Sequence, residues 1–355
     1  MMDRVSVIMP IFNAVPFLDR AINSVRRQTF DTLEIICIND GSTDDSLDVI
    51  CQHAAQDQRI VVMDQPNKGY GASCNRGIAN ATGTWVSIVE PDDWVELKMF
   101  EDMLSLPPSV LQESDVVKSP YWRIIPDEDG SFEKRPCSYI NHPLPKRQPF
   151  ALKKLPNLIA EHPSIWSAIY RKSFLENKGI AFPEYPGAGW ADNPFLVETL
   201  CQARIAYANA PHYCYREETQ EQADAFTRVN YAMMFDRWHT MCDIMERLGV
   251  VDAGIWRAHY RRGFSYAERT VDVIGLKDDV KAFVHTMFTR MDADIVLKDL
   301  SLSQERKRLF AEILQLDGFE LSGAQKAFVQ ASRALEMARD VGVSNTLRSI
   351  RSYLN

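Results

Sequence analysis

The stretch VSVIMPIFNAVPFLDRAINSVRRQTFDTLEIICINDGSTDDS, residues 5–46, decides the fold class. Residues 4–10 and 33–40 are runs of mostly apolar residues, each about as long as a buried strand. Between them, Pro16 stands where a helix can begin, and apolar residues at helical spacing follow it. Buried strands that alternate with amphipathic helices are typical of a mostly parallel sheet with helices on both faces. We therefore predict an α/β fold.

The same alternation continues through the first hundred residues. Residues 59–64 and 84–90 are predicted strands, and a short helix is predicted over residues 71–81. From about residue 222 the prolines vanish, and long stretches repeat apolar residues every 3.6 positions. The sequence thus predicts an α/β domain over residues 1–221 and a helical C-terminal domain over residues 222–355.

Composition limits the possible functions. The net charge of −8 argues against a general affinity for nucleic acid. Seven scattered cysteines without a C-x-x-C pair suit reduced thiols better than disulfides or a zinc site. The N-terminus shows no secretory signal, and no apolar run reaches the roughly 18 residues of a membrane span. We expect a cytoplasmic protein, located at most at the inner face of the plasma membrane.

Acidic residues follow two of the predicted strands. WVSIVEPDDW, residues 85–94, places Glu90, Asp92 and Asp93 at a strand end, and Asp40 ends the second strand. In parallel sheets, ligands bind beyond the carboxyl ends of the strands. Clustered carboxylates can hold Mg²⁺ or Mn²⁺, which offsets their repulsion and can in turn hold a diphosphate. The alternative is a solvated acidic turn that caps the next helix.

Two common nucleotide-binding motifs are missing. NKGYGASCNRG, residues 67–77, has glycines flanked by basic residues, but it is not a G-x-G-x-x-G fingerprint. No G-x-x-x-x-G-K-[ST] loop occurs either. Dinucleotide oxidoreduction and P-loop hydrolysis therefore lack their usual sequence support.

Taken together, these elements resemble the family 2 inverting glycosyltransferases of bacterial surface-polysaccharide synthesis, over roughly residues 4–216. The shared pattern is P-x-(Y/F)-N, then (D/N)-D-G-S-x-D, an N-x-G element and an acidic cluster, in that order. The resemblance implies the GT-A fold, a Rossmann-like, mostly parallel sheet. It also implies metal-dependent transfer of a sugar from a nucleotide donor, with UDP as the expected nucleotide, to a glycan or lipid-linked acceptor.

The resemblance assigns roles to individual residues. It implies a base pocket, metal ligation by the acidic cluster with Mg²⁺ or Mn²⁺ as the cofactor, and further contacts to the diphosphate and the acceptor. Lys68 and Arg76 are candidates near the diphosphate or simple surface charges, and Asp44 is equally a helix cap. The implied residues for the base are Pro10, Ile11, Phe12 and Asp40, and those around the nucleotide are Asp44, Lys68, Arg76 and Arg216 with His212 and Tyr215. Glu90, Asp92 and Asp93 are implied for the metal, with Asp92 also at the nucleotide ribose. Trp166 and Trp190 are implied for sugars, with core packing as their alternative.

The family's catalytic base is the Asp of an E-D pair that begins a helix. Here the pair is Ala191-Asp192, so Asp192 is the expected base while its acidic neighbour is lost. Helix N-capping is an alternative or additional role for Asp192. Phe12 replaces the usual Tyr, and Glu90 replaces the first Asp of the acidic cluster.

Two alternative functions remain open. A sugar nucleotidyltransferase would share the sheet, but its glycine-rich N-terminal loop with a following Lys is missing. A catalytically silent nucleotide-sugar-binding subunit would explain why Glu90 and Ala191 replace two acidic residues of the family pattern. The C-terminal helices are expected to serve acceptor handling or association, by homodimerisation or by peripheral contact with an anionic membrane surface.

Overall fold

The computed structural model describes residues 3–126, 131–137 and 144–316. The chain divides into two compact units, Met1–Arg262 and Gly263–Asn355. The first unit contains all the strands of the described residues. The predicted helical stretches beyond residue 316 lie outside the described residues.

Eleven strands occur in the described part of the chain. They are β1 (Val5–Ile11), β2 (Leu33–Asp40), β3 (Ile60–Gln65), β4 (Trp85–Ile88), β5 (Trp94–Val95), β6 (Val116–Lys118), β7 (Tyr121–Pro126), β8 (Phe132–Pro136), β9 (Ala168–Arg171), β10 (Ile205–Tyr207) and β11 (Tyr213–Arg216).

Twelve α-helices and two short 3₁₀ turns (Leu152–Lys154, Pro156–Ile159) accompany them in the same residues. The α-helices are α1 (Val15–Arg26), α2 (Ser46–Ala54), α3 (Tyr70–Asn80), α4 (Met99–Leu104), α5 (Pro108–Glu113), α6 (Lys172–Lys178), α7 (Asp192–Leu200), α8 (Gln220–Arg247), α9 (Ala253–Ile274), α10 (Asp278–Thr289), α11 (Ala293–Lys298) and α12 (Gln304–Ile313).

A seven-stranded sheet forms the core of the first unit, in the order β10-β6-β9-β4-β1-β2-β3. Its strands run parallel except β9, which is antiparallel to both β4 and β6. Every residue of β1 and β2 is buried, which explains why both strands are nearly continuous apolar runs. The predicted α/β fold with a mostly parallel sheet and a helical C-terminal region is confirmed.

A second sheet of four strands, in the order β5-β11-β7-β8, lies in the same unit. Strand β11 pairs with β5 just after the acidic turn that follows β4. This pairing brings Tyr213 and Arg216 to the acidic residues, although more than a hundred residues separate them along the chain. The second sheet is therefore tied to the acidic turn that follows β4.

The compact units divide at Arg262, whereas the sequence changes character near residue 222. Helix α8 belongs to the first unit, where its buried face includes Phe235 and Trp238. The loss of prolines marks where strands end, but α8 still packs on the α/β unit. A functional division after residue 221 stays a prediction.

The second unit is helical in its described residues. Phe264, Phe288 and Phe310 form its aromatic centre, with ring centroids 5.0 Å apart for the first two and 5.2 Å for the last two. None of the helices in the described ranges combines the length and apolarity that crossing a membrane would require.

Candidate active site

A cavity of about 430 Å³ lies beyond the carboxyl ends of β1, β2 and β4. It is lined by Pro10, Ile11, Phe12, Asn13, Ala14, Phe17, Asp40, Asn67, Gly69, Tyr70, Ser73, Glu90, Pro91, Asp92, Gly187 and Ala188. The predicted base-pocket residues and two of the predicted metal ligands are thus brought together at one sheet edge.

Two phenyl rings give the cavity an aromatic side. Phe12 follows β1 and is 49% exposed, and Phe17 lies on the first turns of α1. Asn13 between them has a left-handed backbone, with φ 51°. Its Oδ1 accepts a 2.8 Å hydrogen bond from the Thr43 N–H, which ties the loop after β1 to the loop after β2.

Asp44 serves the ends of two helices. Its carboxylate accepts hydrogen bonds from the N–H groups of Val15 (3.2 Å) and Ser46 (3.0 Å), the first residues of α1 and α2. Burial acts to raise the pKa of Asp44, but these hydrogen bonds outweigh it and the pKa is lowered. Asp44 is not among the lining residues, so the structural role of the two alternatives is the one observed.

Asp40 is 4% exposed at the end of β2 and holds the loop that follows β3. Its two carboxylate oxygens accept hydrogen bonds from the N–H groups of Lys68 and Gly69, each 2.9 Å long, and from Gln65 Nε2 at 2.7 Å. The loop is thereby closed against the cavity. The Lys68 side chain is exposed and does not line it.

Arg76 acts on Asp40 through Gln65. Its guanidinium donates to Gln65 Oε1 at 2.8 Å and to the Asp64 carbonyl at 3.0 Å. Because a guanidinium can only donate, it turns the Gln65 amide oxygen toward itself and the amide nitrogen toward Asp40. Arg76 is not among the residues that line the cavity, and the structure places it behind Gln65.

Glu90 and Asp92 are the two acids of the predicted cluster that line the cavity. Tyr70 Oη donates a 2.6 Å hydrogen bond to Glu90 Oε1. Burial raises the pKa of Glu90 to about 8, and the charges of Asp92 and Asp192 add to the rise. Burial also raises the pKa of Asp92, while Arg216 opposes it. These are carboxylates that a nearby cation would stabilise.

Asp93 points the other way. It is 1% exposed, its Oδ2 accepts a 2.8 Å hydrogen bond from Tyr213 Oη, and its Oδ1 accepts a 2.7 Å hydrogen bond from the Arg216 N–H. Tyr213 Oη also accepts a 3.0 Å hydrogen bond from the Glu90 N–H. Asp93 therefore fastens β11 to the acidic turn and does not line the cavity, unlike its predicted place beside a metal.

The residues fit a divalent cation whose ligands would come partly from protein carboxylates and partly from the phosphates of a bound nucleotide. In the ranges 3–126, 131–137 and 144–316, no three His, Cys, Asp or Glu side chains form a ready-made cluster. Mg²⁺ is commonly held by one or two carboxylates together with substrate phosphates. Glu90 and Asp92, both lining the cavity with raised pKa values, meet that requirement.

Asp192 is the first residue of α7, and Ala191 holds the N-cap position without a side-chain cap. Asp192 is therefore not the N-cap residue, which was its alternative role, and its carboxylate accepts a 3.0 Å hydrogen bond from Asn193 Nδ2. Burial raises the pKa of Asp192, with Arg262 opposing. A half-buried carboxylate of raised pKa, whose charge also acts on Glu90, suits a proton acceptor.

The two predicted sugar-contacting tryptophans have different surroundings. Trp166 is 3% exposed and lies in a stack with Tyr213 and Tyr215, at ring-centroid distances of 4.1 and 5.0 Å. Trp166 therefore packs in the core, which was the alternative to its predicted contact with a sugar. Trp190 is half-buried, has φ 52°, and stacks on Phe226 of α8 at 5.6 Å.

Of the three residues predicted around the nucleotide near the end of the first domain, Arg216, His212 and Tyr215, Arg216 contacts a residue that lines the cavity. Its guanidinium is 4.6 Å from the centre of the Phe17 ring, and its positive charge opposes the rise that burial causes in the pKa of Asp92. Tyr215 is in the aromatic stack, and His212 Nε2 lies 2.8 Å from Asp102 Oδ2.

Several residues of the site were not predicted from the sequence. Tyr70 and Gln65 act through Glu90 and Asp40, and Tyr213 acts through Asp93. Gly187 and Ala188 line the cavity from a loop that precedes α7. The small residues of PGAG, 186–189, were a signal for a close backbone approach, whereas nothing local marked Gln65.

Comparison with known proteins places the chain among glycosyltransferases. The family model "Glycosyl transferase family 2" matches residues 6–176. The uncharacterized glycosyltransferase EpsJ of Bacillus subtilis is 28% identical over 237 residues, which are 66% of this chain and 66% of EpsJ. The aligned part is thus just under two thirds of that relative.

Two solved structures share the fold. Residues 1–349 of TarS from S. aureus, in complex with UDP, align with a TM-score of 0.67 at 17% identity, covering 96% of this chain and 92% of that one. The mannosyltransferase PcManGT from Pyrobaculum calidifontis, in complex with GDP-Man and Mn²⁺, aligns with a TM-score of 0.52 at 15% identity, covering 97% and 88%. At these identities the likeness shows the fold alone.

Proposed function

We propose that this protein, whose residues 6–176 match the model of glycosyl transferase family 2, transfers a sugar from a UDP-linked donor to a hydroxyl group of a glycan or lipid-linked acceptor in surface polysaccharide synthesis. The observation that carries the proposal is the cavity itself. It joins the aromatic side at Phe12 with the carboxylates Asp40, Glu90 and Asp92 at the sheet edge where such folds bind ligands.

The nucleotide base fits the aromatic side of the cavity. A planar nucleobase can stack on Phe12. Asp40 lines the same cavity, and its carboxylate is fixed by three hydrogen bonds. The diphosphate then extends toward Glu90 and Asp92. The binding of UDP by TarS, which has the same fold, supports UDP as the nucleotide.

Glu90 and Asp92 would hold a divalent cation, Mg²⁺ or Mn²⁺, together with the diphosphate oxygens. When bound, the cation neutralises charge that develops on the leaving diphosphate. Tyr70 keeps Glu90 in place through its 2.6 Å hydrogen bond. The Mn²⁺ and GDP-Man complex of PcManGT supports this assignment.

Asp192 would act as the general base. It takes the proton from the acceptor hydroxyl while the hydroxyl oxygen attacks the anomeric carbon, and the bond from that carbon to the diphosphate oxygen breaks. Attack from the face opposite the leaving group inverts the anomeric configuration. The raised pKa of Asp192 gives it the basicity for this step.

A product assay tests the proposal against its alternatives. Wild-type protein is incubated with Mn²⁺ and a panel of UDP-sugars, and separately with UTP and sugar phosphates. Release of UDP from one UDP-sugar, increased by acceptor, is the expected result. Pyrophosphate from UTP would indicate a nucleotidyltransferase, and binding without any product would indicate a silent subunit.

The C-terminal helices are proposed to handle the acceptor or to associate. Two segments, residues 303–314 and 344–355, carry Lys or Arg among apolar residues and would suit an anionic membrane surface. Residues 344–355 lie outside the described residues. The other, residues 303–314, includes α12, where Arg306 is paired with Glu268 at 2.6 Å. Sedimentation of the protein with anionic vesicles, and its oligomeric state in their absence, separate membrane contact from dimerisation.

A further inference from the structure

The loop from Pro183 to Trp190 carries part of the cavity wall and leads into α7. Gly187 and Ala188 line the cavity, and Asp192 follows two residues after the loop. The backbone is left-handed at Gly187 (φ 66°), Gly189 (φ 59°) and Trp190 (φ 52°). For a tryptophan this conformation costs about 1–2 kcal/mol, so surrounding contacts must maintain it.

Helix α8 provides those contacts. Arg237 Nε donates a 2.7 Å hydrogen bond to the Gly189 carbonyl, and its guanidinium carbon lies 3.4 Å from the centre of the Tyr185 ring. Phe226, three turns earlier on α8, stacks on Trp190 with an interplanar angle of 11°. One helix thus holds the loop at both its beginning and its end.

The same loop also packs against the start of α3. The Gly187 carbonyl accepts a 2.9 Å hydrogen bond from the Tyr70 N–H. A Cβ atom at Gly69 would lie 2.5 Å from the Tyr185 carbonyl oxygen, so the two backbones are in direct contact. Since Tyr70 also bonds Glu90, a shift of the loop would move the residue that orients this acid.

We propose that Arg237 is a positioning residue of the donor site: it holds the Pro183–Trp190 loop so that Gly187 and Ala188 form the cavity wall beside Tyr70. The assignment rests on the proposed function, because it takes the cavity as the nucleotide-sugar site. An arginine suits the task because one planar group both stacks on a ring and donates in its plane. Helix α8, expected to serve the acceptor or association, then contributes to donor binding.

The test compares Arg237→Met and Arg237→Lys with a matched control, Arg228→Met, which removes an exposed arginine from the same helix. Two quantities are measured: the affinity for UDP with Mg²⁺, and hydrogen–deuterium exchange of residues 183–192 and of the Tyr70 amide. The thermal unfolding temperature of each variant shows whether it is folded.

Arg237→Met is expected to weaken UDP binding about tenfold, the equivalent of one hydrogen bond from a charged donor, and to speed exchange in the loop and at Tyr70. Arg237→Lys restores part of both effects, because an ammonium can still donate to the Gly189 carbonyl. The control matches wild type. The KM for the donor rises more than kcat falls.

A Tyr185→Leu variant guards against misfolding of Arg237→Met. If the guanidinium and the ring act as one contact, the double variant binds UDP about as weakly as Arg237→Met alone. Additive losses, or folded Arg237→Met protein with wild-type affinity and wild-type exchange, would overturn the inference. Wild-type protein that binds no nucleotide would instead refute the proposed function, whatever exchange shows.

Discussion

Tyr213 Oη donates a 2.8 Å hydrogen bond to Asp93 Oδ2 and so turns this acid away from the cavity that its neighbour Asp92 lines. Two carboxylates adjacent in sequence therefore have separate tasks. Asp93 fastens β11 to the acidic turn, while Asp92 faces the candidate donor site.

Substituting the two acids should separate these tasks. In Asp93→Asn, the amide N–H₂ faces either the Tyr213 hydroxyl or the Arg216 N–H. Because both of these groups donate to Asp93 in the wild type, one of the two hydrogen bonds is lost. We expect the free energy of unfolding to fall by about 1–3 kcal/mol, the range for an unsatisfied buried polar group. Asp92→Asn should leave stability nearly unchanged. Denaturant titration of both variants measures this, and equal stabilities would contradict the assignment of Asp93.

Asp192→Asn should keep donor binding and lose transfer by about 10²–10⁴-fold, since the amide cannot accept the acceptor's proton. Stability should hold, because Asn193 Nδ2 can still donate to the amide oxygen of the variant, and Ala191 is the N-cap residue. Donor calorimetry and initial rates of UDP release provide the two readouts. Undiminished transfer by folded variant protein would rule out Asp192 as the base.

The pH dependence of transfer follows from the same residue. Burial raises the pKa of Asp192, so protonation should remove the base at a higher pH than for an ordinary aspartate. At saturating donor, the rate should rise with pH as this carboxyl loses its proton and then level off. The residual rate of Asp192→Asn should lack this limb; a limb that survives in the variant would belong to another group.

Lys118 gives a stability prediction that is independent of the site. It is 1% exposed, its ammonium donates to the Ser164 carbonyl at 2.7 Å, and burial lowers its pKa to about 7. Between this pKa and the ordinary value of 10.5 the unfolded chain binds the proton and the folded chain does not, so stability rises with pH. Below pH 7 the full penalty of burying the charge is present.

Wild-type protein should therefore gain about 2 kcal/mol of stability between pH 7 and pH 9 relative to Lys118→Met. Thermal or denaturant unfolding of both proteins at each pH gives the difference. A constant difference between the two proteins across this range would show that the amine does not titrate there.

The sequence predicted the sheet and the acids that line the cavity because both depend on local pattern. Apolar runs define β1 and β2, and the carboxyl ends of neighbouring parallel strands meet at one edge. Asp40, Glu90 and Asp92 follow from that geometry alone. The resemblance to family 2 then supplied the prediction that Pro10, Ile11 and Phe12, which line the cavity, bind the nucleotide base.

The roles of Asp93, Arg76 and Asp44 could not be predicted, because each depends on a contact with residues that are distant in the sequence. The role of Asp93 depends on β11, and that of Arg76 depends on Gln65, whose amide lies between it and Asp40. Asp44 was ambiguous because its two partners, the starts of α1 and α2, become neighbours only in the fold. Periodicity located α8 but could not show that it packs in the first compact unit.

Calorimetric titration of UDP-sugars into wild-type and Asp92→Asn protein, each with Mn²⁺ and with EDTA, tests the central claim most directly. Mn²⁺ should strengthen binding to wild type by about tenfold or more, because the cation adds charged contacts between the two carboxylates and the diphosphate, and Asp92→Asn should lose most of this gain. With EDTA the two proteins should bind alike and weakly. Binding to wild type that is the same with Mn²⁺ and with EDTA, or an equal loss for Asp92→Asn in both, would contradict a cation held by Glu90 and Asp92 in the donor site.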